Sequence, residues 1–376
     1  MIYLDHAATT PVPEAVANEM YRALLSYANP SAQYPMGQEA KKEVEAHRAT
    51  IARALDCDAP CLHFTSCGTE SDNWAIMGAV HHGRHVGKHI ITTAVEHSAI
   101  LETCKALQQQ GYEVTYLKPD KTGHITAAQV ADALREDTVL VSIMLVNNET
   151  GCIFPLADIA RLLQERKSRA LLHTDAVQGF LKVPCAPAKL GVDLMSLSAH
   201  KVGGPKGIGA LYIAPHLKNF RPLLFGGGQE MSRRSGTEAT AQIAGFAKAV
   251  SLRKEQLEES WQHMAAIKAY CSEKLLNIDG IVAVGEGQAP HILAVSLVGY
   301  PSANVVTDLG AQGICLSAGS ACHRGKLSHV VQALGLDKRT AGGVLRLSFG
   351  PETTTADIDT VCAALEQHMR SRFPML

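Results

Sequence analysis

Apolar and polar residues alternate with two different periods along the first two thirds of this chain. Val44, Ile51 and Leu55 recur at the spacing of an amphipathic helix. Between such helical patterns lie short runs of mostly apolar residues, which predict strands buried on both faces. The predicted strands are residues 61–65, 89–93, 112–117, 139–146, 170–174 and 193–198. Because strands and helices alternate, the sequence predicts an α/β fold with a mainly parallel central sheet flanked by helices.

The pattern changes after about residue 255. A long helical stretch is predicted at residues 257–276, followed by a strand at 292–297 and by helices at 304–311 and 355–370. Short strands mixed with helices in this way predict a smaller α+β domain. The length of 376 residues also exceeds that of a typical single domain and favours two domains.

Composition and charge exclude several classes of function. Charged residues make up 19% of the chain and the net charge is −1, so there is no electrostatic basis for binding nucleic acid or an anionic membrane. The N-terminus lacks the basic and apolar regions of a signal peptide, and no apolar run is long enough to cross a bilayer. We therefore expect a cytoplasmic protein. Its ten cysteines are then expected to be mostly buried and unpaired.

Asp175 and Lys201 lie where the chemistry of pyridoxal 5′-phosphate would need them. Asp175 ends the apolar run 170–174, which would place a carboxylate at the C-terminal edge of a buried strand. Lys201 follows the run 193–198 and precedes a glycine-rich stretch. An enzyme with this cofactor needs a lysine to hold its aldehyde and a carboxylate to keep its pyridine nitrogen protonated. A strand-end aspartate and a lysine near glycines are also common, so this pair by itself leaves a structural role open.

Further polar residues follow the ends of other predicted strands, where open α/β sheets bind ligands. Residues 65–70 join a strand to a helix, and they could bind an anion such as a phosphate or form a plain capped turn. His97 follows the next strand, where its ring could stack on a planar cofactor or serve packing alone. Ser98 is the expected N-cap of the following helix. Residues 147–151 place two amides and a carboxylate after an apolar strand, and such groups are costly to bury without partners.

Cys322 differs from the other cysteines in its surroundings. It lies in a loop of small residues and is followed by His323, Arg324 and Lys326. Their positive charges would favour the thiolate over the thiol. This pattern is typical of a reactive cysteine, although an exposed cysteine without a role stays open.

A metal site is the alternative use of cysteine in this chain. The potential zinc ligands that lie close together in the sequence are Cys57, Cys61, His63 and Cys67. Their spacing matches no standard zinc site, so we expect no bound metal. The glycines at 226–228 lack the flanking strand and helix of a dinucleotide fingerprint, so they are weak evidence for a nicotinamide cofactor.

Short motifs spread over nearly the whole chain occur in the order of a known enzyme family. They are residues 3–11, 29–31, 65–73, 95–97, 147–151, 173–178, 198–201, 226–237, the Cys322 loop and residues 345–348. In these motifs the chain resembles the cysteine desulfurases of the NifS/IscS type, which are class V aminotransferase-like enzymes. The resemblance implies the PLP-dependent transferase fold of type I, pyridoxal 5′-phosphate (PLP) as cofactor, and a homodimer. It also implies a large PLP-binding domain of residues 15–255, and a small domain of residues 1–14 and 256–376 that carries the Cys322 loop.

The resemblance assigns roles to the residues around the cofactor. Lys201 would bind the aldehyde covalently and transfer the Cα proton of the substrate. Asp175 would pair with the pyridine nitrogen and Gln178 with the ring hydroxyl. His97 would stack on the ring and assist proton transfer to or from the substrate thiol. The phosphate would be bound by Gly68, Thr69, Ser198 and His200, with Thr237 reaching it from the second subunit.

The resemblance also implies a substrate and a reaction. Asn148, next to the cofactor, and Arg346 would bind the carboxylate of L-cysteine, and Cys322 would attack the substrate sulfur. The products would be L-alanine and a persulfide on Cys322, whose sulfur passes to a protein acceptor. That acceptor would be a scaffold or a sulfur carrier, such as those of iron–sulfur cluster biogenesis. The alternatives are a selenocysteine lyase or a class V aminotransferase with the same cofactor site, and a non-catalytic metal- or cluster-binding protein.

Two positions depart from the family pattern. The segment between Cys322 and Ser328 looks shorter than usual and carries basic residues in place of small and hydroxyl residues. This departure leaves Cys322 as the expected nucleophile, but it bears on how far the loop reaches and on which acceptor it serves. In the opening motif, His6 replaces a common asparagine.

Overall fold

The computed structural model describes residues 1–318, 327–372 and 374. Its strands are β1 Ile2–Tyr3, β2 Leu62–Thr65, β3 His89–Thr93, β4 Glu113–Leu117, β5 Thr138–Ser142, β6 Leu171–Asp175, β7 Leu194–Ser198, β8 Gly209–Ile213, β9 Ile281–Ala283, β10 Ile292–Leu297, β11 Ile314–Cys315 and β12 Val344–Ser348. Its helices are α1 Glu14–Leu25, α2 Pro35–Leu55, α3 Gly68–His82, α4 Ser98–Gln109, α5 Ala127–Ala133, α6 Leu156–Glu165, α7 Pro187–Leu190, α8 Thr240–Glu255, α9 Leu257–Leu276, α10 Ser302–Gly310, α11 His329–Ala333, α12 Lys338–Gly342 and α13 Thr355–Ser371.

Among the described residues, seven strands form the central sheet in the order β2-β8-β7-β6-β5-β3-β4. Neighbouring strands are parallel except at β8, which runs antiparallel to both β2 and β7. Every residue of β3, β5, β6 and β7 is buried. Unbroken apolar runs predict this burial, because helices cover both faces of such a sheet. The mainly parallel α/β sheet expected from the sequence is confirmed.

One strand ends earlier than its apolar run predicts. The run continues to residue 146, whereas β5 ends at Ser142. The chain turns back soon afterwards: the backbone N–H of Asn147 donates to the carbonyl of Cys152, at 2.9 Å. The side-chain oxygen of Asn147 accepts the backbone N–H of Thr150, at 2.9 Å, and stabilises the turn. Residues 143–146 therefore stay buried, but they lie beyond the C-terminal end of β5 and lead into a turn.

A second group of strands involves both ends of the chain. Strand β10 pairs antiparallel with β9 and β12, and β1 pairs parallel with β11. Apolar residues of α9 and α13 form a core against these strands, and Leu4 from the N-terminal segment belongs to the same core. Beyond β1 the chain crosses to the large sheet, where the N–H of Thr10 donates to the carbonyl of His200, at 3.0 Å. The N-terminal segment thus connects the two groups of strands beside Lys201.

No helix in the described part of the chain combines the length and the apolarity that crossing a bilayer requires.

Candidate active site

A cavity of about 390 Å³ opens beyond the C-terminal ends of β5, β6 and β7 and extends to β12. Open α/β sheets bind their ligands at this edge. Most of the residues predicted to bind cofactor and substrate line the cavity: Gly68, Thr69, His97, Asn148, Asp175, Gln178, Ser198, His200, Lys201 and Arg346. Side chains from distant parts of the sequence therefore meet at one place.

Two carboxyl groups lie close together at the buried end of the cavity. Asp175, the last residue of β6, is 7% exposed, and its Oδ1 accepts the backbone N–H of Val177 at 2.8 Å. Burial raises the pKa of Asp175, whereas the nearby charges of His97 and Lys201 lower it. Burial also raises the pKa of Asp72 well above its usual value, and Asp175 adds to that effect. Two buried carboxylates are costly to ionise together, so a cationic group placed here would be stabilised.

His97 begins the helix that follows β3. Its Nδ1 atom accepts the backbone N–H of Ala99, at 3.2 Å, so His97 is the N-cap of α4 and the expectation that Ser98 caps this helix is wrong. Because Nδ1 accepts this hydrogen bond, the neutral imidazole carries its proton on Nε2. A ring nitrogen of His97 and carboxyl oxygens of Asp72 and Asp175 all lie within 4.8 Å of one another. The exposed ring of His97 is thus held by its own helix beside the two buried carboxyl groups.

Lys201 lies in the short 3₁₀ turn that follows β7. Its Nζ donates hydrogen bonds to the carbonyls of Ala7 and Ala8, at 2.7 and 2.6 Å. Burial lowers the pKa of this amine to about 8, and the charge of Arg346 contributes in the same direction. An amine with this pKa is partly unprotonated near neutral pH and can react with an aldehyde. Lys206, the other lysine of this segment, is exposed and does not line the described cavity.

The part of the cavity at the N-terminus of α3 has the properties of an anion site. Gly68 begins the 15-residue helix α3, and a Cβ at this position would lie 2.9 Å from Cγ2 of Val177, which favours glycine. The hydroxyl of Ser198 is buried and has no hydrogen-bond partner among the described residues. Burial lowers the pKa of His200 to about 4, and the charge of Lys201 adds to this effect. The helix N-terminus and the unpartnered hydroxyl can donate hydrogen bonds to a phosphate.

Arg346 of β12 lies on the wall of the cavity opposite the large sheet. The residue is 5% exposed. Its Nη2 donates to Asp5 Oδ1 at 2.7 Å, and its Nη1 donates to the backbone carbonyl of Asn148 at 2.8 Å. Its Nε is buried without a hydrogen-bond partner among the described residues. The guanidinium is therefore fixed in orientation and retains a free donor for a bound carboxylate.

Two residues of this site were not predicted from the sequence. Asp72 lies on α3 beside Asp175, and Asp5 forms the ion pair with Arg346. Both belong to motifs that carry the family resemblance, residues 65–73 and 3–11, and this was the available signal. A carboxylate within a helix or near a terminus shows no periodic pattern that would separate it from a solvated residue.

One predicted residue lies in a different cavity, and another is outside the described residues. Thr237 lines a separate cavity of about 110 Å³ together with Gly236 and Arg234, and does not belong to the described lining of the main cavity. Cys322 lies outside the described residues. In its own subunit, therefore, Thr237 is not placed beside the other predicted phosphate ligands.

The alternative metal site is not assembled by the fold. Nε2 of His63 lies 3.0 Å from Nη1 of Arg233, which can only donate, so this nitrogen accepts a hydrogen bond from the guanidinium. In the described part of the chain, the potential ligands close enough to share one ion are Asp72, His97 and Asp175. Cys57, Cys61 and Cys67 are not among them.

The residues present fit PLP. Asp175 can neutralise a protonated ring nitrogen, and Lys201 supplies an amine for the aldehyde. The hydroxyl of Ser198, unpartnered among the described residues, can donate a hydrogen bond to the phosphate. The cavity volume of about 390 Å³ also suits a small cofactor with a substrate.

Comparison with known proteins places these observations in a family. The family model described as aminotransferase class-V matches residues 2–361. A protein of Bacillus subtilis (strain 168) named putative cysteine desulfurase IscS 1 is 40% identical over 366 residues, which cover 96% of each chain. The cysteine desulfurase IscS of Methanosarcina thermophila is 40% identical over 382 residues, covering 100% of this chain and 94% of its own. A solved NifS-like protein superposes with a TM-score of 0.92 at 35% identity, covering 99% of this chain and 100% of its own.

These matches span nearly the whole chain, and the superposition extends to both groups of strands. The fold is therefore that of the PLP-dependent transferases of type I. The chain belongs to the class-V aminotransferase family, among its cysteine desulfurases of the IscS and NifS-like type.

Proposed function

We propose that the chain converts L-cysteine to L-alanine and passes the sulfur through Cys322 to a protein acceptor. The observation that carries this proposal is the meeting in one cavity of the buried Asp175 carboxyl group and the Lys201 amine, whose pKa is about 8. PLP is the cofactor of this enzyme family. The desulfurase names of the full-length relatives support the same reaction.

Each part of the cofactor has a matching group in the cavity. Asp175 would pair with the ring nitrogen, and His97 would lie against the ring. Lys201 would hold the aldehyde, while Gly68 and Ser198 would bind the phosphate at the N-terminus of α3. When bound, PLP withdraws electrons from the substrate and weakens its Cα–H bond. The remaining steps depend on where the protein holds its own proton donors and acceptors.

Lys201 would transfer the Cα proton, and His97 would bind the substrate sulfur. A general base works best when its pKa lies near the working pH, and Nζ of Lys201 meets this condition at about 8. The carbonyls of Ala7 and Ala8 direct that amine, so its lone pair would receive the Cα proton at a fixed position. Nε2 of His97 carries the proton of the neutral ring, because Nδ1 caps α4. His97 would therefore donate a hydrogen bond from Nε2 to the substrate sulfur and orient it.

Arg346 would bind the carboxylate of L-cysteine. We expect Arg346→Lys to raise KM for L-cysteine about 10- to 100-fold, because a charge-assisted hydrogen bond is worth about 1.5–3 kcal/mol. The visible absorbance of bound PLP should be unchanged, since Arg346 lies on β12 and away from the predicted phosphate end. Steady-state kinetics and absorbance spectra measure the two effects. Arg253→Lys is the control, because Arg253 does not line the described cavity. An unchanged KM in Arg346→Lys would contradict the assignment.

We also propose a homodimer in which Thr237 completes the phosphate site of the partner subunit. Large apolar side chains exposed on the described surface are Tyr21, Leu24, Leu25, Tyr27, Tyr34, Leu224, Phe225 and Met231. A hydrogen bond of 3.3 Å from Gln229 Nε2 to Ser31 Oγ joins the two segments that carry many of them. Exposed apolar groups of this kind mark interaction surfaces, and here they flank the segment that ends at Thr237. A single-chain mass in sedimentation experiments would contradict the dimer.

The proposed division into domains follows the same family pattern. Residues 15–255 would form the large domain, and residues 1–14 and 256–376 the small domain. Helix α8 packs on α1 and α2, whereas the next helix, α9, packs on α13, which supports a boundary near residue 255. The proposed location is the cytoplasm, and the described cysteines, all of them unpaired, agree with a reducing compartment.

Product analysis tests the proposed reaction directly. With L-cysteine and a thiol reductant, the PLP-loaded protein should release alanine and sulfide in equal amounts. 3-Mercaptopyruvate together with an aminated keto acid, and no sulfide, would indicate an aminotransferase, and turnover confined to L-selenocysteine would indicate a lyase for that substrate. Loading with ³⁵S-labelled cysteine, followed by incubation with candidate scaffolds and sulfur carriers of iron–sulfur cluster biogenesis, would identify the acceptor.

A further inference from the structure

A buried lysine without a role in the proposed reaction lies behind the cavity. Lys182 is 8% exposed and follows Gln178 by four residues in the turn after β6. The preceding residue, Leu181, has φ of 55°, a left-handed conformation that is rare and costly for a branched side chain. The chain thus adopts a strained backbone directly before a lysine that it buries.

The surroundings of Lys182 make this burial unfavourable. Burial lowers the pKa of its amine well below the usual value, and the charges of Lys201, Arg253 and Arg346 lower it further. Two buried histidines, His6 and His291, also lie within electrostatic reach of Lys182. A buried amine among cationic groups costs more than an apolar side chain of the same size. Packing alone therefore gives no reason for a lysine at this position.

The hydrogen bonds of Lys182 lead to the cavity. Its Nζ donates to Oε1 of Gln178, at 3.3 Å. Nε2 of Gln178 donates to the carbonyl of Ala7, at 2.8 Å, and the same carbonyl accepts a hydrogen bond from Nζ of Lys201, at 2.7 Å. Lys182 and Lys201 are therefore linked through one carboxamide and one backbone carbonyl.

The chemistry of the donors fixes the orientation of the Gln178 carboxamide. An amide can turn over and exchange its oxygen with its nitrogen at little cost unless its neighbours distinguish them. The Ala7 carbonyl can only accept, so it requires the amide nitrogen and leaves Oε1 facing Lys182. An amide oxygen can only accept, and the lysine amine has N–H groups to donate whether or not it is protonated. With Oε1 held by Lys182, one hydrogen of Nε2 goes to Ala7. The second hydrogen of Nε2 can then be donated to a group bound in the cavity that Gln178 lines.

We propose that Lys182 is a positioning residue that holds the carboxamide of Gln178 with its N–H group directed into the PLP cavity. This inference rests on the proposed function, in which Gln178 donates to the oxygen on the PLP ring. Lys182 itself does not touch the cavity in the described structure and acts through Gln178.

The test compares PLP binding in a double-mutant cycle. Lys182→Met keeps the length of the side chain and removes the donor. Titration of the apoprotein with PLP should give a Kd raised about two- to tenfold, the worth of one hydrogen bond. The visible absorption maximum of the bound cofactor should shift, because its ring oxygen loses an oriented donor. In the Gln178→Leu background, Lys182→Met should change neither quantity, since the carboxamide is already absent.

Arg253→Met is the matched control. Arg253 lines the same small cavity behind Lys201 as Lys182 does, but it has no hydrogen bond to Gln178 among the described contacts. Its removal should change Kd less than twofold and leave the absorption maximum in place.

If Lys182→Met lowers only the melting temperature, or if its effects add to those of Gln178→Leu, the inference is wrong. Lys182→Leu, which also lacks a donor and is expected to give the same changes, replaces Lys182→Met if that variant fails to fold. A parent protein that binds no PLP would overturn the proposed function instead.

Discussion

Replacing Lys201 with alanine is expected to abolish the covalent attachment of PLP and to reduce turnover of L-cysteine about 10²- to 10⁴-fold from the lost proton transfer alone. The reason is that Lys201 supplies the amine of the cavity, with a pKa of about 8 and two carbonyl acceptors that direct it. The purified variant should lack the visible band of lysine-bound cofactor. Borohydride treatment followed by peptide mapping should trap PLP on Lys201 in the parent only.

The pH dependence of cofactor attachment follows from the same amine. Only the unprotonated amine attacks an aldehyde. Because burial lowers the pKa of Lys201 from its ordinary value to about 8, about half of the amine is unprotonated at pH 8, and the unprotonated fraction levels off only above about pH 9. The initial rate of PLP attachment to the apoprotein should show this profile in stopped-flow absorbance.

Lys206→Ala is the matched control for Lys201→Ala. Lys206 is five residues away in sequence but exposed, and it does not line the described cavity. Its replacement should leave both the visible band and turnover near those of the parent. Loss of the band in Lys206→Ala, with retention in Lys201→Ala, would show that the wrong lysine has been assigned.

Replacing Cys322 with serine is expected to reduce sulfide release by several orders of magnitude while leaving PLP attachment intact. A serine hydroxyl is not ionised at neutral pH, whereas the thiolate is the nucleophile in sulfur transfer. L-Cysteine should still perturb the visible spectrum of the variant, because Lys201, Asp175 and Arg346 remain in place. Sulfide and alanine assays, together with mass spectrometry for the persulfide, measure the loss.

Cys67→Ser is the matched control for Cys322→Ser. Among the described cysteines, Cys67 is the one that lines the cavity, so it is the rival candidate for the nucleophile. Its replacement should leave most of the sulfide release intact. The opposite outcome, with turnover retained in Cys322→Ser and lost in Cys67→Ser, would move the nucleophile to the N-terminus of α3. Retention of full turnover in both variants would favour a reaction without a protein thiol.

The apolar runs of the sequence predicted six of the seven described strands of the large sheet, and β8 was not predicted. Strand β3 occupies the residues that its apolar run predicts, and β6 and β7 lie within one residue of theirs. Burial on both faces leaves a pattern that can be recognised locally, because each residue of such a strand must be apolar or paired. The end of β5 was mistaken: the apolar run continues to residue 146, but the strand ends at Ser142, and the turn stabilised by the side chain of Asn147 follows.

The N-cap of α4 is a second place where the prediction from sequence and the structure differ, here by a single residue. Ser98 is the better N-cap by side-chain preference, yet the backbone leaves the sheet so that His97 takes that position. Which residue caps a helix depends on where the preceding strand releases the chain. That geometry is set by tertiary packing and not by the residue types alone.

The sequence by itself determined the candidate residues of the site, because motifs at the ends of buried strands indicated Asp175, Lys201 and His97. Only the tertiary structure decided how those groups interact. The raised pKa of Asp175 depends on its burial, the ion pair of Arg346 on Asp5, and the orientation of Gln178 on Lys182. Such properties depend on distances and burial between segments far apart in the chain, and these arise when the segments pack together.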